Sequence, residues 1–135
     1  MKTILFSILI LFSINGFAYN WKKVVEGVDV EVPILVEDSI YVDVDNIKKH
    51  NGLVYYWELV DLRQPYVGNS LIYKAKADCV EEKLTKLNVT WYSQSMGKGR
   101  ILFQDMATED NVPNKIQYPK PTSVRYEVMK FVCNY

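Results

Sequence analysis

A single histidine, His50, and two cysteines, Cys79 and Cys133, are all that this 135-residue chain offers for imidazole or thiol chemistry. One imidazole cannot build the usual His-containing zinc cluster, and it leaves a conventional nucleophile–His–acid triad with little to draw on. Charge of one sign is lacking too. Lys and Arg number 16 against 16 Asp and Glu, alternating along the chain, so there is no basic block for nucleic acid and no acidic tail. Only six glycines are present, and Gly97-Lys98-Gly99-Arg100 lacks the longer spacing of a phosphate-cradling loop. Internal repeats, low-complexity stretches and linkers are absent. No cofactor fingerprint is found, and neither a cofactor nor a metal is expected.

Long apolar runs are equally scarce, with one exception at the N-terminus. Lys2 supplies a positive start, Ile4 to Phe12 an apolar stretch broken only by Ser7, and Gly16 and Ala18 the small residues of a cleavage site. This predicts a signal peptide over residues 1–18 and one domain over 19–135, roughly 117 residues long and large enough for a single modest core. Removing Lys2 with the leader leaves 15 basic against 16 acidic residues. The apolar run is shorter than the roughly 20 residues of a membrane span, so no stable span is expected after cleavage. The expectation is an exported protein, periplasmic or secreted. In that compartment two cysteines most simply form one disulfide, and Cys79–Cys133 is the expected pair.

What the chain has in quantity is aromatic residues, with ten tyrosines and three tryptophans, which favour strands. Strands are predicted at Trp21–Val25, Ser39–Val44, Leu53–Leu62, Ser70–Cys79, Glu81–Tyr92 and Arg100–Gln104. In the third, Leu53, Tyr55, Trp57 and Leu59 share a face by their period of two. Val28 to Val36 alternates as well, but Pro33 confines it to an edge or a loop. Asn51-Gly52 marks a turn, and Thr108 to Thr122, with three prolines, reads as irregular. The last segment changes period: Val124, Val128, Phe131 and Val132 follow helical spacing, with Arg125, Glu127 and Lys130 projecting elsewhere and Thr122 or Ser123 as the cap. The fold class is therefore α+β, an antiparallel sheet of about six strands with one C-terminal helix packed on one face. A Cys79–Cys133 bridge would tie that helix to the sheet.

Several residues are candidates for chemistry. Asp43 and Asp45, two apart on a predicted strand, face one side as an acid/base pair would, although the further ligands of a calcium loop are missing. Glu58 joins them as a carboxylate for a hydrolase. A Cys79–His50 nucleophile pair competes with the disulfide. Asn88-Val89-Thr90 matches a glycosylation sequon. Trp21, Tyr55, Tyr56, Trp57, Trp91 and Tyr92 form either a binding surface or core. None of these assembles a catalytic set, so no catalytic residue is assigned.

The chain also resembles a known family. Tyr41-Val42-Asp43 with Ile47, followed by Asn51-Gly52-Leu53-Val54 and Trp57-Glu58-Leu59-Val60-Asp61, is similar to the first hairpin of the surface-adhesin protein E-like family. Ser70, Tyr73, Lys74, Asp78-Cys79 and Tyr92 before Gly97 resemble its centre. Pro121-Thr122-Ser123, Glu127 and Val132-Cys133 resemble its close. The resemblance implies the same bridged sheet and helix. It also implies a bacterial envelope protein that binds host matrix or serum proteins. The namesake is lipid-anchored, whereas this chain has no cysteine near Ala18, which predicts a soluble released form. The functional expectation is a non-enzymatic interaction domain with a protein or extracellular-matrix partner. A carbohydrate- or small-ligand-binding periplasmic protein is the second reading, and a carboxylate-dependent hydrolase the third.

Overall fold

The computed structural model describes residues 18–28, 37–63, 67–108, 110–111 and 115–135. The expected leader, apart from Ala18, and the Val28–Val36 alternation beyond Val28 lie outside these residues. Eight strands and one helix follow in chain order: β1 (Trp21–Val28), β2 (Glu37–Asp43), β3 (Lys48–His50), β4 (Leu53–Asp61), β5 (Ser70–Asp78), β6 (Lys83–Gln94), β7 (Lys98–Met106), β8 (Ile116–Gln117) and α1 (Val124–Asn134). They form one antiparallel sheet in the order β1-β2-β4-β5-β6-β7, with β3 added to β4 and β8 to β6. The expected α+β meander with a C-terminal helix is what the chain adopts.

Alternation decides which residues go inward. Val54, Tyr56 and Val60 of β4 lie opposite Ala77, Ala75 and Leu71 of β5, and all six are buried. This is the face that α1 covers, through Val128, Met129 and Val132. Leu53, Tyr55, Trp57 and Leu59 do share a face, but it is the opposite one. The helix crosses β1 and β4, and Ser123 caps it by accepting from the Tyr126 N–H at 3.2 Å. Cys79, one residue past β5, is disulfide-bonded to Cys133 in the last turn of α1, with Cα atoms 5.9 Å apart.

The second face is covered differently. The β6–β7 connection, a 3-10 turn at Ser95–Gly97, folds back over β4 and β5. Gly97 has φ +67°, and a Cβ there would stand 2.6 Å from Ile72 Cδ1, so both its backbone and its packing call for glycine. Ser70 ties the turn down: its hydroxyl donates to Gln94 O at 2.6 Å and accepts from the Gly97 N–H at 2.9 Å. Beneath the turn, Leu59 and Ile72 are buried.

Three local expectations change. The segment between β2 and β4 is not simply a turn: Val44–Asn46 is a 3-10 helix and Lys48–His50 a strand. The stretch after Thr108 contains β8. The β6–β7 hairpin turns at Ser95–Gly97 rather than at Gly97-Lys98-Gly99, so β7 begins earlier, at Lys98, and runs on to Met106. β3 and β8 are short and carry little apolar patterning. Pairing with β4 and β6, rather than local sequence, makes them strands.

Candidate functional site

The carboxylates singled out in the sequence do not converge. Asp43 ends β2, and because a 3-10 helix begins at Val44 the period of two stops there. Its buried carboxylate accepts from the Asn20 N–H at 3.0 Å, the Asp45 N–H at 3.3 Å and the Asn46 amide at 2.6 Å. It is a cap rather than an acid/base group. Asp45 is exposed in the turn. Glu58 lies on the other face of the sheet, since its partner in β2 is Val42. His50 is exposed at the end of β3 beside Asn51, and Cys79 is in the disulfide.

Glu58 instead belongs to a buried cluster under the helix. Arg125, in the first turn of α1, donates from Nη1 both to Glu58 Oε1 and to the Tyr73 hydroxyl. Arg125 was expected to project away from the core, yet it shares a helical stripe with Val128, Met129 and Val132, three, four and seven residues on. Facing it, Glu58 alternates with Val54, Tyr56 and Val60 on the covered face. That coincidence of two periodicities is the signal by which the pair could have been found. Glu58 and Tyr73 are fully buried and Tyr56 nearly so. Glu58 Oε2 and the Tyr56 hydroxyl lack a well-formed hydrogen bond, although the two groups lie within electrostatic reach of one another. Burial lowers the basicity of the Arg125 guanidinium, but the Glu58 carboxylate and the two tyrosines outweigh it and hold the pKa above its ordinary value. Burial pushes both tyrosine hydroxyls well above the usual range.

The aromatic residues divide between the two faces. Tyr56 and Trp91 join the core under the helix. Trp21, Tyr55 and Trp57 lie half-buried on the other face, where Tyr19 stacks on Trp21 at 4.6 Å between ring centroids and meets Trp57 edge-on at 6.2 Å. Lys74 Nζ is 6.0 Å from the Trp57 centroid. Beside these rings a groove of about 420 Å³ runs past Tyr55, Trp57, Lys74 and His50.

A second pocket, about 520 Å³, opens at the start of the helix. Lys86 of β6, Lys120 of the preceding connection and Arg125 of α1 converge on it, with Gln117, Tyr118 and Ser123 completing its wall. Sequence reading missed it because its cations come from three separate elements.

Among the described residues, β7 lies at one end of the sheet order. β7 pairs with β6 on one side, and its Ile101, Phe103 and Met106 are 51%, 55% and 62% exposed, with Leu102 beside them at 36%. Among the described residues, no group of three or more His, Cys, Asp or Glu side chains is placed to hold a metal, and no helix is long and apolar enough to cross a membrane.

The fold is similar to that of Haemophilus influenzae protein E. Two of its structures superpose with a TM-score of 0.56 at 16% identity, covering 84% of this chain and 83% or 87% of the other. A structure of protein E from non-typeable Haemophilus influenzae gives a TM-score of 0.54 at the same 16% identity, covering 84% of this chain and 75% of that one. Likeness at this identity establishes the fold alone. No curated protein matches the chain in sequence. The family model described as surface-adhesin protein E matches residues 32–134, most of the chain, and the chain belongs to that family.

Proposed function

We propose that this protein is a non-enzymatic interaction domain of the bacterial envelope, exported after loss of residues 1–18, which holds a partner protein through the open edge of β7. The observation that carries the reading is that edge. Nine residues long, it presents Ile101, Leu102, Phe103 and Met106 to solvent, and among the described residues no second strand pairs with it. Such edges are normally blunted by charge or cover. Here Lys98 and Arg100 stand at the beginning and Asp105, paired with Lys115, near the end, while the centre is apolar. An extended segment of a host matrix or serum protein would add a strand, with main-chain hydrogen bonds supplying affinity and the apolar side chains the contact. Membership of a surface-adhesin family supports an adhesin-type role.

A second reading, a small-carbohydrate binder, is favoured by the groove beside Tyr55 and Trp57. The edge reading is tested in one experiment. The disulfide-bonded protein is passed over immobilised extracellular-matrix and serum proteins, alongside a Phe103→Lys variant. Binding to at least one protein that falls tenfold or more in the variant supports the edge. Binding unchanged by Phe103→Lys, or no binding across the panel, overturns it.

A further inference from the structure

We infer that the groove beside Tyr55 and Trp57 binds an acidic sugar, one that carries a carboxylate or a sulfate. This rests on the carbohydrate reading of that groove and uses no residue of the β7 edge. Strand register builds the groove. Antiparallel partners face the same side of a sheet, so Lys48 of β3 stands across from Tyr55, and Lys74 of β5 across from Trp57. Lys76 flanks Tyr55 from the β5 side. The two β4 rings are thus bordered by ammonium groups from both neighbouring strands. Lys48 and Lys74 line the groove with Asn46, His50, Tyr55 and Trp57, and no carboxylate belongs to this described lining. Among the described residues, neither Lys48 nor Lys74 makes an ion pair. Asp43, at the end of β2, is buried and already accepts from three donors.

The two rings differ in what already lies against them. Trp57 meets Tyr19 edge-on at 6.2 Å and has Lys74 Nζ 6.0 Å from its centroid, which steadies that ammonium at the wall of the groove. Among the described residues, Tyr55 has neither another ring nor a cation stacked against it. Half-buried between Lys48 and Lys76, it supplies a ring on which the apolar side of a sugar can stack.

The polar groups match hydroxyls as well as charge. Asn46 donates from Nδ2 to Asp43 Oδ2 at 2.6 Å, which holds the amide in place and leaves Oδ1 as an acceptor. His50 shares Nε2 with Asn51 at 3.2 Å and retains Nδ1. Sugar hydroxyls both donate and accept, whereas a bare carboxylate only accepts. A lining with an acceptor beside its cations therefore suits an acidic sugar better than a simple anion. Lysine is a point charge without the planar fork of arginine, so it takes carboxylate and sulfate alike. At about 420 Å³ the groove lies within the range of small-molecule sites.

NMR titration of the disulfide-bonded protein with glucuronic acid, glucose 6-sulfate, glucose and acetate tests this. The expected result is saturable shifts at residues 46–57 and at Lys74 with one or both acidic sugars, about tenfold tighter than with glucose and weakening as salt rises. Whichever acidic sugar binds more tightly identifies the acid group that the groove prefers. Lys48→Gln and Lys74→Gln should each weaken the acidic sugars about tenfold, whereas Lys98→Gln on β7 should not. Lys48 is exposed and Lys74 half-buried, so the variants should still fold. Glucose bound as tightly as the acidic sugars would overturn the acidic assignment and leave a carbohydrate site standing. Acetate bound as tightly as they are would overturn the sugar. Equal affinity in both lysine variants and the unaltered protein would overturn the role of the cations. An absence of saturable shifts with all three sugars would overturn the carbohydrate reading itself.

Discussion

Arg125 occupies a position where helix electrostatics argue against it, since a cation in the first turn opposes the helix dipole. Its compensation is the Glu58 carboxylate, fully buried in β4, and the Tyr73 hydroxyl. Taking two charges out of water costs about as much as their attraction returns, so such a pair adds little net stability while making the loss of either member expensive. Arg125→Leu should therefore destabilise the protein by about 3–5 kcal/mol in urea unfolding, whereas Glu58→Leu combined with Arg125→Leu should recover most of that loss. Equal losses in the single and double variants would mean the charges are not coupled. The pair also marks a boundary of what could be read from the chain. Glu58 follows Tyr56 in the inward alternation and Arg125 precedes Val128 on the helix stripe, but a charged residue is ordinarily assigned outward. Only the meeting of strand and helix shows that both point in. Asp43 illustrates the converse: a carboxylate with catalytic promise in the sequence is occupied entirely in holding a turn.

At the scale of elements, long alternating segments were legible and short ones were not. β4 and β5 carry enough period-two signal to stand out, and the final segment changes period at Val124. β3, with all three residues exposed, and β8, only two residues long, carry no pattern of their own and exist because a neighbouring strand offers hydrogen bonds. Which face of β4 the helix would cover was also hidden, because the Tyr55–Trp57 face is at least as apolar as the one chosen. The helix has 11 residues, too few to be stable alone in water. Its hold on the sheet rests on Val128, Met129 and Val132, on Arg125, and on the bridge at its far end. For cysteines 54 positions apart, the chain-entropy value of the bridge is about 4 kcal/mol. Replacing both Cys79 and Cys133 by Ser should lower stability by an amount of that order. Hydrogen exchange should then show α1 opening before β4 and β5. Loss of protection in helix and central strands together would mean that the helix is no separate unit.

For the whole molecule, the buried tyrosines set an alkaline limit. Burial keeps the Tyr56 and Tyr73 hydroxyls protonated well above their ordinary pKa; Glu58 adds to this and Arg125 opposes it. In the unfolded chain both ionise near pH 10. Below that pH the two states hold the same phenolic protons and the full stability is present. Above it the unfolded state holds fewer, so stability falls as pH rises toward the folded-state pKa. Unfolding free energy measured between pH 9 and 11 should decline by on the order of 1 kcal/mol per pH unit for each of the two tyrosines, and Tyr73→Phe should make the decline shallower. A decline equally steep in Tyr73→Phe would assign it to other groups. The order of elements carries a different lesson, about time. All eight strands precede α1, and Cys133 stands behind every one of them. A chain emerging from its N-terminus can pair the whole meander, neighbour with neighbour, before the second thiol arrives. The bond can therefore close only after every one of these strands has emerged.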